Sequence, residues 1–179
     1  MRHVRRGGAY LRVADPEWDN PLDGRYAAER GGRWNPPQSF PVVYLNRELA
    51  TAQANVLRRY VGLPYGPELL DPAEAPVLIQ TTVDAADYVD IVTDAGCVEA
   101  DLPATYPHNP DGTVVGHDRC QPIGRRAWDA GEPGVACRSA ALGAHAGEEL
   151  ARFSLPGRPA LQVDERFGFD AWFWVRELP

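Results

Sequence analysis

The segment Gly31–Tyr44, with the sequence GGRWNPPQSFPVVY, constrains the fold of this chain more than any other part of it. A double glycine precedes Arg33 and Trp34, a Pro-Pro pair follows them, and a short apolar run ends at Tyr44. Glycine frees the backbone and proline restricts it, so the segment predicts a fixed loop that leads into a buried strand. An arginine held beside an aromatic ring suits a phosphorylated small molecule that carries a ring.

The helix after this loop is the second clear feature. Asn46 is a suitable N-cap, and apolar residues recur at helical spacing as far as Tyr60, which predicts one amphipathic helix. Thr51, Asn55 and Arg59 share a neighbouring face of that helix. We expect this face to border the ligand site.

Short strands and further loops make up most of the remaining chain. A second helix is predicted over Arg119–Ala130, with Pro122 in its first turn, where proline is tolerated. Turn residues predict a loop at Asp15–Arg30, a linker at Gly62–Pro76 and a mobile surface loop at Pro103–Gly116. The predicted strands are Ala9–Val13, Pro41–Leu45, Val77–Val83, Tyr88–Val92, Gly134–Cys137 and Leu150–Phe153, with a turn at Asp84–Asp87.

This mixture predicts an α+β fold, one compact domain over residues 1–179 with a mixed β core flanked by helices. The apolar segments Ala160–Val163 and Ala171–Val175 close the chain. The aromatic run Trp172–Trp174 is expected to close a core or an interface, which leaves a homo-oligomer open.

The charge of the chain excludes several classes of partner. A net charge of −7 argues against autonomous binding to nucleic acid, because that binding rests on clustered basic residues. Arg2, Arg5 and Arg6 predict only a frayed terminus. No apolar run approaches the roughly 20 residues of a membrane span, and no apolar segment follows Met1, so we expect a cytoplasmic protein.

The three cysteines predict neither a disulfide framework nor a metal site. Cys97, Cys120 and Cys137 are odd in number and widely spaced, without a CxxC motif or a histidine pair at ligand spacing. We therefore expect buried free thiols and no metal ion.

Several short motifs together resemble one known family. These are GGRWNPP, then VVYL, then a helix with Ala-Thr-Ala near its start, followed by CQPIGRRAW and GVACRSAA. In sequence and spacing, from about Tyr10 to about Phe153, they are similar to the RES domain, which is named for its Arg, Glu and Ser. The resemblance implies an ADP-ribosyltransferase-like fold and a bacterial toxin that consumes NAD⁺ by hydrolysis, phosphorolysis or ADP-ribosyl transfer. It also implies a partner antitoxin with an Xre-type DNA-binding domain that occludes the active site.

The resemblance assigns binding roles to three residues by position. Arg12 in YLRV and Arg33 in GGRW would hold the pyrophosphate of NAD⁺, while Tyr44 would pack at the nicotinamide end. Trp34 is a further substrate-binding candidate, because it is the aromatic residue beside Arg33 on the same loop. NAD⁺ enters as a substrate, and no cofactor is implied. The family serine corresponds to Ser139 in the GVxxxS stretch, whereas some family members place an important serine just before the CQ-x-x-G segment, where this chain has Asp118.

One position departs from the family pattern. The family glutamate lies eleven residues after the tyrosine, and this chain has Asn55 there. Cleavage of the nicotinamide–ribose bond builds positive charge on the ribose, which a carboxylate stabilises and an amide does not. Loss of one such contact typically costs on the order of 10²–10³ in rate. Asp118 could supply the missing carboxylate if its loop folds over the site.

Three functions therefore remain open from the sequence. The first is an NAD⁺-cleaving RES toxin, and the second is a non-catalytic homologue that binds a nucleotide and an antitoxin. The third is an altered enzyme that acts on another NAD-derived or nucleoside-like substrate in a biosynthetic pathway.

Overall fold

A computed structural model describes residues 1–142 and 146–178 of the chain. Five helices and six strands lie in these described ranges. They are β1 His3–Ala14, α1 Arg25–Arg30, β2 Val42–Asn46, α2 Leu49–Leu57, β3 Val77–Ile91, α3 Asp94–Glu99, α4 His117–Asp129, β4 Gly134–Arg138, β5 Glu148–Phe153, β6 Glu165–Phe167 and α5 Phe169–Trp172. The α+β class predicted from the sequence is confirmed.

Five of the strands form a closed cycle of hydrogen-bonded neighbours. The order runs β1–β2–β5–β4–β3, β1 also pairs with β3, and β6 extends the sheet from β3. The β3–β4 pair is parallel and the other pairs are antiparallel, so the sheet is mixed as expected. Between β1 and β2 the paired positions are Leu11 and Asn46.

The first strand is much longer than its sequence predicts. Arg5 and Arg6 belong to β1 and pair with Asp87 and Ala86 of β3, so the expectation of a frayed terminus was wrong for them. Asp84–Asp87 is accordingly part of a continuous strand and not a turn. Local composition indicated a turn, but the long partner strand supplies the hydrogen bonds that keep this polar stretch extended.

Helix α2 begins later than predicted. Asn46 is the last residue of β2, and its side-chain amide donates to the carbonyl oxygen of Leu11 at 3.2 Å. Glu48 precedes the helix as its N-cap, and a 3₁₀ turn at Arg58–Tyr60 follows its end. Pairing with β1 therefore keeps Asn46 in the sheet, although its residue type favours a helix cap.

The other differences concern short elements. Helix α1 lies within the expected loop before the GGRWNPP segment, and α3 follows β3. Helix α4 starts at His117, so Pro122 lies inside the helix and not in its first turn. Trp172 and Phe173 are buried, as expected for a core, whereas Trp174 is exposed. Segments this short carry too little periodicity to be identified from sequence.

Three apolar clusters fill the molecule. One surrounds Trp34, Phe153 and Cys137 beneath α4, a second surrounds Tyr10 and Leu150, and a third lies under α2 and α5. All three cysteines are free and buried, as predicted. The Pro103–Gly116 segment holds an isolated bridge between His108 and Val114, and it buries Tyr106.

Candidate functional site

A cavity of about 480 Å³ opens beside the single Leu11–Asn46 pair of β1 and β2. This volume lies within the range of roughly 300–1,000 Å³ that is usual for small-molecule sites. The lining side chains come from β1, β2, β5, α1, α2, α4 and the loops between them. They are Arg12, Val13, Trp18, Tyr26, Ala27, Gly31, Gly32, Arg33, Tyr44, Leu45, Asn46, Asn55, Arg59, His117 and Glu149.

The loop of the GGRWNPP motif forms one wall, and a buried amide fixes its shape. Asn35 is fully buried, and its Nδ2 donates to the carbonyl oxygen of Ala27 at 2.6 Å. Its Oδ1 accepts the hydroxyl proton of Tyr44 at 2.7 Å, while the Tyr44 oxygen accepts from the backbone N–H of Trp34 at 2.9 Å. The Asn-Pro-Pro sequence thus closes the loop onto the strand that carries Tyr44.

The double glycine is required by close packing. Gly31 has a φ of 77°, in the left-handed region that favours glycine. A Cβ at Gly32 would lie 2.5 Å from the Tyr44 hydroxyl oxygen. The tyrosine ring therefore lies directly against the backbone of the loop, and a side chain at Gly32 would separate them.

Arg33 lines the cavity and is anchored at one edge of its guanidinium. Its Nη1 donates to the carbonyl oxygen of Val115 at 2.9 Å, and the same nitrogen lies 3.9 Å from the Cys120 sulfur. Gln121 of α4 donates to the carbonyl oxygen of Gly32 at 3.0 Å, which fixes the loop beside the arginine. The loop and α4 therefore position Arg33 together.

Arg12 is the second arginine of the cavity. It is only 6% exposed, and its Nη1 is buried without a hydrogen-bond partner among the residues that the structure describes. Burial lowers the pKa of Arg12 to about 10, and Asp23 opposes that shift. The guanidinium lies 5.5 Å from the centre of the Trp18 ring. A buried guanidinium with an unpaired donor is suited to an anionic ligand.

Tyr44 contributes its ring to the cavity and keeps its proton. Burial raises the pKa of this tyrosine well above its ordinary value, so the hydroxyl stays neutral near pH 7. The hydroxyl is already engaged by Asn35 and Trp34. Tyr44 is therefore placed to pack against a ligand, and it is poorly suited to proton transfer.

Trp34 takes a different place from the one expected. Its side chain is 1% exposed, belongs to the core beneath α4 and does not line the cavity. Its indole N–H lies 3.3 Å from the Cys137 sulfur. The tryptophan therefore anchors the loop from below, and only its backbone touches the hydroxyl of Tyr44. The sequence suggested ligand contact because the Trp34 ring is next to Arg33. The backbone conformation of the loop instead directs the ring into the core, while Arg33 lines the cavity.

A carboxylate that the sequence did not single out lies beside Asn55. The Oε1 atom of Glu149 accepts from the Asn55 amide at 3.0 Å and from the Ser139 hydroxyl at 2.7 Å. Asn55 also donates to Asn46 Oδ1 at 2.8 Å. Ser139 is fully buried behind the cavity wall, so it reaches the cavity through Glu149. Glu148 and Glu149 are adjacent in β5, and nothing in the local sequence shows which of the two glutamates faces the cavity and which faces solvent.

The alternative carboxylate, Asp118, lies elsewhere. It is exposed in the first turn of α4 and does not line the cavity, because the helix begins before it and turns its side chain outward. Its neighbour His117 lines the cavity instead. Burial, with Arg33 and Arg58 nearby, lowers the pKa of His117 below its ordinary value, against a small opposing effect of Asp118. His117 is therefore largely neutral at pH 7.

Neither a metal centre nor a membrane-spanning helix is found in the described ranges. No group of three or more His, Cys, Asp or Glu side chains there is placed to hold a metal ion. None of the helices in residues 1–142 and 146–178 combines the length and the apolar character that a membrane crossing requires.

Fold and cavity together define a class of protein: an α+β domain with a small-molecule cavity lined by two arginines, a tyrosine and a carboxylate. The RES domain family model matches residues 9–170, and the chain belongs to the RES family. The match extends beyond Phe153, where the motifs of the sequence end.

One solved structure supports the same fold. A chain in the crystal structure of the M. tuberculosis MbcT–MbcA toxin–antitoxin complex superposes with a TM-score of 0.74 at 23% sequence identity. The match covers 93% of this chain and 86% of that one. No curated protein sequence shows significant similarity to the chain.

Proposed function

We propose that this RES protein binds NAD⁺ in the cavity and cleaves its nicotinamide–ribose bond. The observation that carries the proposal is the buried Arg12 guanidinium, whose Nη1 lacks a partner among the described residues, in the same cavity as Arg33. Two guanidinium groups in one cavity suit a pyrophosphate, which offers several acceptor oxygens. The Tyr44 ring offers a surface for the nicotinamide end.

The reaction breaks the bond between ribose C1′ and nicotinamide N1. The electron pair of that bond passes to N1 and neutralises the pyridinium, so nicotinamide leaves as a neutral molecule. A nucleophile then bonds to C1′ and releases its proton to solvent, which yields ADP-ribose when the nucleophile is water. Phosphate or a macromolecular acceptor in place of water gives the corresponding conjugate.

The test is release of nicotinamide from NAD⁺ by the purified chain, in water alone, with phosphate, and with protein acceptors. In Arg33→Gln the KM for NAD⁺ should rise about tenfold to a hundredfold, because a charged hydrogen bond contributes about 1.5–3 kcal/mol. Arg126→Gln is the matched control, since Arg126 is exposed on α4 and does not line the cavity. It should stay within about twofold of the parent KM, because surface changes of this kind have small effects.

Two results would contradict the proposal. One is nicotinamide release no faster than in buffer under all three conditions. The other is equal behaviour of the two arginine variants. Binding of NAD⁺ without turnover would favour a non-catalytic homologue, and cleavage of another N-glycoside in preference to NAD⁺ would favour an altered substrate.

We infer further that the protein acts as a toxin and that a separate antitoxin protein controls it. The support is membership of the RES family and the likeness to a chain from a toxin–antitoxin complex. Exposed apolar side chains lie at the end of α2 and in the segment after it, which also carries Arg59 of the cavity, and they offer a contact surface. They are Leu57, Val61, Leu63, Tyr65 and Leu69. Expression of the chain and of the same two variants in a bacterium extends the test, with growth and cellular NAD⁺ as readouts.

A further inference from the structure

We propose that Glu149 supplies the carboxylate that stabilises the positively charged ribose, and that Asn55 and Ser139 position it. The assignment rests on the proposed NAD⁺ cleavage and identifies the catalytic acid of that same site. It moves the acidic function from α2, where the family pattern places it, to β5.

Within the described part of the chain, the hydrogen bonds to this carboxylate fall on one of its two oxygens. Both contacts from Asn55 and Ser139 fall on Oε1, at 3.0 and 2.7 Å. No hydrogen bond of Glu149 Oε2 occurs within the described part of the chain. Glu149 is partly exposed and lines the cavity, so its carboxylate borders the space that a ligand would occupy.

Strand register explains why this position can replace residue 55. Asn46 of β2 and Glu149 of β5 are direct partners in the sheet, so their side chains lie on one face. Asn55 approaches the same face from α2 and donates to both of them, at 2.8 and 3.0 Å. The carboxylate of Glu149 therefore lies within hydrogen-bond distance of the side chain at position 55, at 3.0 Å.

The same contacts explain why asparagine suits position 55. Its amide uses its two hydrogens on Asn46 Oδ1 and Glu149 Oε1, and both of these atoms are acceptors. A carboxylate at position 55 would have no hydrogen to donate and would repel Glu149 at this distance. Asn55 is therefore matched to Glu149 as a donor to its carboxylate.

In the reaction, Glu149 forms no bond to the sugar. As the C1′–N1 bond breaks and its electron pair moves to nicotinamide, positive charge spreads over C1′ and the ring oxygen of the ribose. A fixed carboxylate beside that charge stabilises the transition state more than the ground state. The hydrogen bonds from Ser139 and Asn55 hold the carboxylate in place before the reaction begins.

The test compares the parent chain with Glu149→Gln, Asn55→Glu and the double variant that combines them. For Glu149→Gln we expect kcat for nicotinamide release to fall on the order of 10²–10³. Asn55→Glu alone should also lower kcat, because two carboxylates then face each other. The double variant restores one acid and one amide, and we expect it to recover about tenfold or more over Glu149→Gln.

Binding of ADP-ribose, which lacks nicotinamide, serves as the folding control. Its dissociation constant should change by no more than about twofold in Glu149→Gln, because the arginines that hold the pyrophosphate remain. Ser139→Ala should lower kcat about tenfold and leave this constant unchanged, because the carboxylate loses one of its two fixed contacts. An unchanged kcat in Ser139→Ala would remove the positioning role of Ser139.

Three results would overturn the assignment of Glu149. They are a kcat of Glu149→Gln within about threefold of the parent, an Asn55→Glu variant faster than the parent, or no recovery in the double variant.

If the parent chain releases no nicotinamide, the proposed function fails separately. Binding then decides the assignment. The parent should prefer NAD⁺, whose nicotinamide ring is cationic, over NADH, whose ring is neutral, by on the order of tenfold, and Glu149→Gln should lose this preference. Equal preference in both proteins would overturn it.

Discussion

A single buried asparagine, Asn35, holds the GGRWNPP loop in shape. Asn35 links the carbonyl oxygen of Ala27 to the hydroxyl of Tyr44, and the same hydroxyl accepts from the backbone of Trp34. Arg33 is a candidate binding residue in the sequence because a guanidinium suits an anionic ligand. The position of its side chain is set by Gly32, Trp34 and Asn35, since their hydrogen bonds fix the backbone on both sides of Arg33.

Asn35→Ala should therefore lower the free energy of unfolding by about 2–4 kcal/mol. The change leaves the hydroxyl proton of Tyr44 without an acceptor, which costs about 1–3 kcal/mol. It also removes one of the two hydrogen bonds to the Ala27 carbonyl oxygen, which costs about 1 kcal/mol. Urea unfolding measures the effect. Asn109→Ala is the control, since the Asn109 amide makes an exposed hydrogen bond to Thr113, and it should change stability by less than about 0.5 kcal/mol. Equal losses in the two variants would contradict this role of Asn35.

At the scale of elements, the contact between α4 and the loop is the critical interface. Gln121 donates to the carbonyl oxygen of Gly32, and an added Cβ at Gly124 would overlap the carbonyl oxygen of Trp34. The spacing between this glutamine and glycine in CQPIG places both on the helix face against the loop. Two motifs that are distant in sequence are thus one packed unit.

Gly124→Ala should separate α4 from the loop and weaken both stability and ligand binding. The overlap is with backbone, which cannot rotate away, so we expect a loss of about 2 kcal/mol or more. Thermal unfolding and NAD⁺ titration are the measurements. Gly168→Ala is the matched control, because nothing lies within 4 Å of an added Cβ there and its φ is ordinary. A Gly124→Ala variant as stable as Gly168→Ala would refute the close contact.

The closed cycle of strands assembles the site at the scale of the whole molecule. Arg12 comes from β1, Tyr44 and Asn46 from β2 and Glu149 from β5, while Ser139 follows β4. The folded molecule also buries thiol and phenol groups, and burial opposes their ionisation. Burial raises the pKa of Cys97 to about 11, and it raises the pKa of Cys137 and Tyr106 well above their ordinary values.

Stability should therefore decline in alkaline solution. The ordinary pKa of a cysteine thiol is 9.0, so above this pH Cys97 ionises in the unfolded chain. In the folded chain the pKa of Cys97 is about 11, so the thiol keeps its proton up to about that pH. The unfolded state then binds fewer protons, so the free energy of unfolding falls as pH rises, by up to about 1.4 kcal/mol per pH unit for each such group. Urea midpoints between pH 8 and 11 measure this decline, and Cys97→Ala should make it shallower. A constant midpoint would contradict it.

The sequence by itself determined the α+β class, the family and the shape of the GGRWNPP loop. The loop follows from local backbone chemistry, because Gly-Gly, Asn-Pro-Pro and the apolar run restrict the chain wherever it lies. Only the tertiary structure decided which side chains meet in the cavity. It placed Trp34 in the core and Asp118 outside the cavity, and it brought Glu149 to Asn55 through the register of β2 and β5. Register and strand closure depend on contacts between distant segments, which no local pattern encodes.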